Sequence, residues 1–308
     1  MTLLVLSERD VERLLTMEDC IEAMTDVLAA LARGALYQPL RSVLRPPDAA
    51  ALMGLMPAHR SGPGGAFSLK EIVIVPANPA RGLDAHQGGV LLHDGETGEL
   101  RALLNASPIT AIRTAAVSAV ATRALAHSGA RTVAILGTGV QGKAHAAAMR
   151  AVLDEPEIRM WSPSRGGGAG GSAEDAVRGA DVVCTCTTST DPVLRLEWLT
   201  PGAHVNGVGA SEPSSRELDE ETIRAATLVV DRRESALSEA GELLIPGFGE
   251  ERIAAELGEV LTGAHPGRTS DDELTVFKSL GLAVEDLAAA ELVVRRAREQ
   301  GAGVEVDF

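Results

Sequence analysis

Short apolar runs alternate with helical patterns through the second half of the chain. The run Thr132-Val133-Ala134-Ile135-Leu136 has the length and β-branched content of a strand buried on both faces. Further strands are predicted at 157–161, 181–187, 203–208 and 227–231, with a helix or turn before each. This alternation is typical of an α/β fold built on a doubly wound parallel sheet.

The first half of the chain has a different pattern. Ser7 and Thr16 each precede an acidic residue by three positions, which predicts the starts of two helices. Short runs separated by turn residues then predict a mostly antiparallel sheet. Its strands are expected at 43–44, 51–56, 69–75, 89–92 and 100–104.

A glycine motif follows the strand at 132–136. Gly137-Thr138-Gly139-Val140-Gln141-Gly142 is a complete G-x-G-x-x-G, and the Ala-rich stretch 143–153 predicts a helix after it. In this context the glycines permit a tight turn, close approach to a pyrophosphate and close packing of helix on strand. The start of the helix offers N–H groups to phosphate. The sequence therefore predicts a Rossmann-type dinucleotide site.

Two long helices are predicted around this motif, at 107–126 and at 279–300. The second has one apolar side and is long enough to return to the first domain. We therefore expect a dinucleotide-binding domain at 116–284. A discontinuous α+β domain is expected at 1–115 and 285–308.

The composition argues against several classes of partner. The 308 residues carry a formal net charge of −15, which disfavours a nucleic acid or an anionic membrane surface. No apolar stretch approaches the ~20 residues of a spanning helix, and no signal peptide is evident. Cys184 and Cys186 would lie on one face of a buried strand, where small core residues of a reducing cytosol are expected. We expect a cytoplasmic protein without a metal site.

Three basic residues occupy positions where solvated charges are not expected. Arg113 lies within the apolar stripe of its helix, Lys70 shares a strand face with isoleucines, and Arg41 alternates with Val43. A buried cation without an anionic partner is costly. One hypothesis is three structural salt bridges with the chain's many acids. The other is a pocket that binds a substrate carboxylate.

The turn after the second parallel strand bears on the choice of cofactor. NAD sites usually place an acidic residue about 20 residues beyond the glycines. The chain instead has Ser162, Ser164 and Arg165 there, which suit a 2′-phosphate. NADP is favoured and NAD remains possible. The alternative is that Arg165 is an ordinary loop residue.

Several longer stretches resemble the ornithine cyclodeaminase and mu-crystallin family over nearly the whole chain. The pairing of Arg-Thr-Ala-Ala with a downstream G-x-G-x-Q turn is specific to it. The matching stretches are Gln38–Arg41, Leu55–Pro57, Lys70, Pro76–Pro79, Glu96–Gly98, Ile109–Ala116, the glycine turn with Gln141, Pro201–Asn206, Arg216–Asp219 and Val276–Gly281.

The resemblance implies roles for particular residues. Arg41, Lys70 and Arg113 would bind the substrate carboxylate and carry the catalysis. Cofactor phosphates would be held by Thr114, Gly137, Thr138, Gly139, Val140 and Gln141, and the ribose and nicotinamide would lie near Thr187, Val208 and Ser279. The resemblance also implies that the discontinuous domain at 1–115 and 285–308 binds the substrate and forms the dimer, because members of the family are homodimers joined through that domain. They bind NAD or NADP.

One departure separates the chain from true ornithine cyclodeaminases. Those enzymes carry an aspartate that acts on the substrate amine, and this chain has Ser211 at that position. A hydroxyl of ordinary pKa cannot act as that base. The Gly-Ala-Ser stretch resembles the mu-crystallin and ketimine reductase branch.

We therefore expect NAD(P)H-dependent reduction of a cyclic imine that bears a carboxylate, or the reverse oxidation of an amino acid. The alternatives are ornithine or lysine cyclodeamination, and an NADP-binding, crystallin-like protein with little catalysis.

Overall fold

The chain divides into two compact units. The computed structural model describes residues 2–163, 166–167 and 171–308, and of 166–167 the backbone alone. Unit 1 comprises Met1–Arg113 with Leu282–Phe308, and unit 2 comprises Thr114–Gly281. The boundaries expected from the sequence, after 115 and after 284, lie a few residues beyond these. Gly281 has a left-handed φ of 79°, which marks a break in regular structure ahead of Leu282.

Unit 1 contains a mixed sheet that is largely antiparallel. The strand order is β16-β1-β7-β6-β5-β4-β2, and β3 pairs with β4. The parallel pair is β1 with β7. The strands are β1 Thr2–Leu6, β2 Leu36–Tyr37, β3 Ser42–Leu44, β4 Leu52–Arg60, β5 Ala66–Ile74, β6 His86–Asp94, β7 Leu100–Asn105 and β16 Val304–Asp307. The predicted antiparallel sheet is confirmed, although β1, β2 and β16 were not expected.

The helices of unit 1 begin where their capping residues are. They are α1 Glu8–Leu14, α2 Met17–Ala32 and α10 Ala283–Gln300, and a 3-10 turn lies at Asn78–Arg81. Ser7 and Thr16 accept hydrogen bonds from the backbone N–H groups of Asp10 and Asp19. The helix α10 packs against α2 and against β4, β5 and β6. Its first turn therefore reaches the central strands of the sheet.

Unit 2 contains the expected parallel sheet, which confirms the α/β class. The strand order is β10-β9-β8-β11-β12-β15-β13-β14, and β10 is antiparallel to β9. The strands are β8 Thr132–Leu136, β9 Glu157–Ser162, β10 Gly166–Gly167, β11 Val182–Thr185, β12 His204–Gly207, β13 Thr227–Val230, β14 Ile253–Glu256 and β15 Thr275–Lys278. The chain moves from β8 to β9 on one side and to β11 on the other. The β8/β11 boundary is therefore the switch point of the sheet, where doubly wound folds bind ligands.

The helices of unit 2 cover this sheet. The helix α3 Ala106–Leu125 begins in unit 1 and continues into unit 2. The remaining helices are α4 Val140–Val152, α5 Ala173–Val177, α6 Glu220–Ala225, α7 Arg233–Glu239, α8 Gly241–Leu244 and α9 Leu257–Leu261, with 3-10 turns at Leu196–Trp198 and Glu250–Arg252. Among the described residues, the helices are too short or too polar to cross a membrane.

The start of the last helix was predicted too early, at Ser279 rather than Ala283. The stretch before it ends β15 and then turns. The carboxylate of Asp231 accepts hydrogen bonds from the backbone N–H groups of Leu280 (2.6 Å) and Gly281 (2.8 Å). These contacts hold the chain in a non-helical turn directly after the strand.

Candidate active site

The glycine turn of unit 2 has a separate physical reason for each glycine. Gly137 has φ 122°, and a Cβ there would collide with the carbonyl oxygen of Cys186. A Cβ at Gly142 would collide with the carbonyl oxygen of Gly137. A Cβ at Gly139 would meet no described atom within 4 Å. The outer two glycines therefore permit close packing, and Gly139 borders open space.

The helix α4 starts at this open space. Its N-cap is Gly139, which supplies no side-chain cap, so the N–H groups of the first turn face outward. Within the described part of the chain, the buried Oε1 of Gln141 has no hydrogen-bond partner. A helix start with uncapped N–H groups beside a turn free of side chains fits the pyrophosphate of a dinucleotide.

Other predicted cofactor residues lie near the turn or within the same unit. The hydroxyl of Thr138 donates to that of Ser162 at 3.0 Å, which joins the glycine turn to the end of β9. Thr114 is buried in α3. Ser164 and Arg165 lie outside the described residues. Their predicted contact with a 2′-phosphate stays a prediction.

The residues predicted near ribose and nicotinamide follow neighbouring strands. Thr187 follows β11, Val208 follows β12 and Ser279 follows β15, and these three strands are adjacent in the sheet. Because the strands are parallel, their carboxyl ends meet at one edge, beside the switch point. The topology therefore gathers the three positions at the edge where doubly wound folds bind dinucleotides.

In unit 1, two predicted cations share one carboxylate. The Nζ of Lys70 lies 2.9 Å from Oδ2 of Asp286, and the Nε of Arg113 lies 3.1 Å from Oδ1. Arg113 also donates from Nη1 to Oε2 of Glu285 at 2.8 Å. Lys70, Glu285 and Asp286 are no more than 1 % exposed and Arg113 is 4 % exposed. The structure thus brings Lys70 and Arg113 together and pairs both with the chain's own acids, which agrees with the salt-bridge hypothesis for these two residues. We call these four residues the charged cluster.

Arg41 acts on the charged cluster through its electric field. The pKa of Lys70 is lowered from its ordinary 10.5 to about 8, chiefly by burial; Asp286 opposes this shift, and the charges of Arg113 and Arg41 contribute to it. Burial and the charge of Lys70 also lower the pKa of His86, at the start of β6. Arg41 itself is half-buried, directly before β3. Three cations and two carboxylates therefore share one region of unit 1.

The two acids come from the first turn of α10, and sequence reasoning missed them. Acidic side chains are favoured at the start of a helix. The first turn of α10 is also capped, because the backbone N–H of Val284 donates to the buried Oε1 of Gln38 at 3.0 Å. Gln38 thereby supplies a contact that the N-cap Leu282 cannot make. Two adjacent acids at the start of an apolar helix were the available signal, because such acids need cations when they are buried.

The pKa of Lys70 predicts a pH dependence. The ammonium can bind a carboxylate, whereas the amine that forms above about pH 8 cannot. We expect kcat/KM for an acidic substrate to fall by about tenfold per pH unit above that value. Asp286 raises the pKa of Lys70, so the substitution Asp286→Asn should move the fall to lower pH. Initial rates from pH 6 to 10 at saturating dinucleotide would test this, and an unmoved profile in the Asp286→Asn variant would contradict it.

The parallel sheet, its switch point and the glycine turn together define a dinucleotide-binding protein of the Rossmann class. The family model for the ornithine cyclodeaminase/mu-crystallin family matches residues 1–301. The chain belongs to that family.

Several relatives match most or all of the chain. The ketimine reductase mu-crystallin of Mus musculus is 42% identical over 272 residues, which are 84% of this chain and 85% of that protein. The Δ1-pyrroline-2-carboxylate reductase of Thermococcus litoralis, solved with NADH and L-proline, is 32% identical with a TM-score of 0.93, over 98% of this chain and 100% of its own. An archaeal alanine dehydrogenase dimer with bound NAD is 30% identical with a TM-score of 0.94, over 100% of both chains.

Proposed function

We propose that the protein catalyses the NAD(P)H-dependent reduction of a cyclic imine that bears a carboxylate, or the reverse oxidation of the amino acid. The observation that carries this is the glycine turn at the switch point of the parallel sheet, where α4 starts without a side-chain cap and Gly139 borders open space. Unit 1 would bind the acid, and the glycine turn of unit 2 would bind the dinucleotide. The activities named for mu-crystallin and for the pyrroline-2-carboxylate reductase support this reaction class.

The mixture of charges in the cluster suits a zwitterion. A protonated imine with an adjacent carboxylate carries one positive and one negative charge. Lys70, Arg113 and Arg41 would bind the carboxylate, and Asp286 and Glu285 would face the positive nitrogen. A purely cationic pocket would bind the carboxylate but repel the protonated imine.

Bound NAD(P)H supplies a hydride to the imine carbon. The protein's part is to hold that carbon in place by its neighbouring carboxylate, which lowers the barrier by restricting orientation. Lys70, with its pKa lowered to about 8, can hold or release a proton near neutral pH. No strong base is required for this reduction, which agrees with Ser211 at the position of the cyclodeaminase aspartate.

A spectrophotometric screen tests the proposal. Purified protein is mixed with NADH or NADPH and with pyrroline-2-carboxylate, piperideine-2-carboxylate, pyruvate plus amines, or free amino acids with the oxidised cofactor. Oxidation of the reduced dinucleotide by a cyclic imine acid is the expected result. Incubation with ornithine and NAD is the control, and formation of proline and ammonia at a comparable rate would overturn the proposal in favour of cyclodeamination.

We further propose that NADP(H) is preferred over NAD(H). The support is in the sequence, where Ser162 at the end of β9 is followed by Ser164 and Arg165, with no carboxylate between 162 and 165. The two solved relatives above were determined with NADH and with NAD, so a preference for NADP(H) would distinguish this protein from them. Dissociation constants for NADPH and NADH, measured by fluorescence titration, decide the preference.

We also propose a homodimer formed through unit 1. The support is an apolar groove on the sheet of unit 1, where Tyr37 is 65 % exposed and Phe67 is 48 % exposed and stacked on His59. Large exposed apolar patches mark interaction sites, and the related alanine dehydrogenase is a dimer. We expect light scattering to give twice the chain mass and the variant Phe67→Glu to give monomers. A dimeric Phe67→Glu variant would contradict the choice of surface, with Phe308→Glu as the control at another exposed aromatic residue of unit 1.

A further inference from the structure

The carboxylate of Glu217 joins the loops that follow β11 and β12 in unit 2. Its Oε1 accepts from the backbone N–H of Thr187 (2.6 Å) and from that residue's hydroxyl (2.7 Å). Its Oε2 accepts from the backbone N–H of Gly209 (2.6 Å) and from the hydroxyl of Thr185 (2.7 Å). Glu217 is fully buried. Each carboxylate oxygen therefore holds one backbone N–H and one threonine hydroxyl.

The backbones of the two loops are in close contact at Gly209 and Thr187. A Cβ at Gly209 would collide with the carbonyl oxygen of Thr187 and would lie 2.6 Å from Oε1 of Glu217. Only glycine at this position lets one carboxylate reach N–H groups of both loops. The close contact between the loops therefore depends on two residues, the carboxylate of Glu217 and the glycine at 209.

A buried ion pair between Glu242 and Lys278 contacts the backbone N–H of Glu217. The Oε1 of Glu242 accepts from the backbone N–H of Glu217 at 3.0 Å, and its Oε2 lies 3.3 Å from Nζ of Lys278. Lys278 donates to the carbonyl oxygen of Ala210 at 2.5 Å. Two residues therefore hold the loop after β12. Glu217 binds the backbone N–H of Gly209, and Lys278, the last residue of β15, binds the carbonyl oxygen of Ala210.

We propose that Glu217 is a positioning residue for the dinucleotide, acting through the backbone of the loops that carry Thr187 and Val208. The inference rests on the proposed function, in which those two residues lie beside ribose and nicotinamide. A buried carboxylate is stable only when donors surround it, and all four donors here come from β11 and from the loops after β11 and β12. The acid fixes the spacing of the two loops, and the spacing fixes where the cofactor's ribose and nicotinamide lie.

The variant Glu217→Gln tests this directly. A carboxamide has one accepting oxygen, and its NH2 group cannot accept from an N–H. Because each carboxylate oxygen holds one backbone N–H, the NH2 group would face the N–H of Thr187 or that of Gly209 in either orientation. One loop would lose its anchor. We expect the dissociation constant for the dinucleotide to rise about tenfold, with the KM for the imine acid changed by less than about twofold.

A matched control separates positioning from stability. Glu273 accepts from the backbone N–H groups of Thr269 (2.5 Å) and Ser270 (3.3 Å) and from the hydroxyl of Thr227. It lies in unit 2 at the amino ends of β13 and β15, the edge opposite to the glycine turn. We expect Glu273→Gln to lower the melting temperature as Glu217→Gln does, and to leave the dissociation constant of the dinucleotide unchanged.

If Glu217→Gln does not fold, a second and milder variant tests the same inference. Thr185→Val removes one hydroxyl donor from Glu217 and keeps the shape, so the dissociation constant should rise about threefold. Wild-type affinity in a folded Glu217→Gln or Thr185→Val variant would overturn the inference and leave the proposed function standing. A wild-type protein that binds neither NADH nor NADPH would overturn both.

Discussion

Replacing Arg113 by alanine will lower turnover of the imine acid by at least roughly 100-fold and will leave dinucleotide affinity within about twofold of wild type. Arg113 is proposed to bind the substrate carboxylate, and it lies in unit 1, whereas the glycine turn lies in unit 2. The substitution also removes a cation shared by Glu285 and Asp286, which should cost about 3–5 kcal/mol of stability. Stopped-flow rates and fluorescence titration, both well below the melting temperature, separate these effects.

Arg113→Lys is the matched variant for this prediction. It keeps a positive charge beside the acids but loses the planar guanidinium that contacts both. We expect stability closer to wild type and turnover that is still at least about tenfold reduced. If Arg113→Ala also lost its affinity for the dinucleotide, the role assigned to Arg113 would be wrong.

Replacing Gly139 by alanine will weaken dinucleotide binding by roughly 10- to 100-fold while the protein remains folded. The backbone of Gly139 has φ −75° and ψ −162°, which alanine adopts without strain. Its Cβ would meet no described atom within 4 Å, so the added methyl group occupies only the space assigned to the pyrophosphate. Titration with NADPH and NADH, together with a thermal melt, measures both effects.

Substitutions at two other glycines serve as controls for Gly139→Ala. Gly142→Ala places a Cβ against the carbonyl oxygen of Gly137, so stability and binding should fall together. Gly54→Ala lies on β4 of unit 1, where its Cβ would be 3.6 Å from Cγ1 of Ile72, an ordinary contact. Binding that is equally weak in Gly54→Ala, or unchanged in Gly139→Ala, would contradict the assignment of the turn.

The strand, glycine turn and helix of unit 2 could be predicted from the sequence because the motif that defines them is short and continuous. The apolar strand, the three glycines and the helix that follow one another at 132–152 are fixed by backbone sterics over a short stretch. Although β11, β12 and β13 have only four residues each and were predicted, the equally short strands β14 and β15 were missed. Their pairing depends on neighbours that are distant along the chain.

The charged cluster was readable only in part. Burial of Lys70 and Arg113 follows from the apolar positions around them, and so does the need for anions. The identity of those anions does not, because Asp286 lies 216 positions from Lys70 and 173 from Arg113 along the chain. Packing of α10 on the sheet decides which of the many acids meets them.

Since Lys70 and Arg113 share Asp286, none of the three residues can be exchanged alone without a burial penalty falling on the others. Evolution of a new substrate preference must therefore begin elsewhere in unit 1, where a side chain can vary without breaking an ion pair. The shared carboxylate therefore keeps the proposed acid-binding residues constant, and a change of substrate preference is expected to arise at side chains outside the charged cluster.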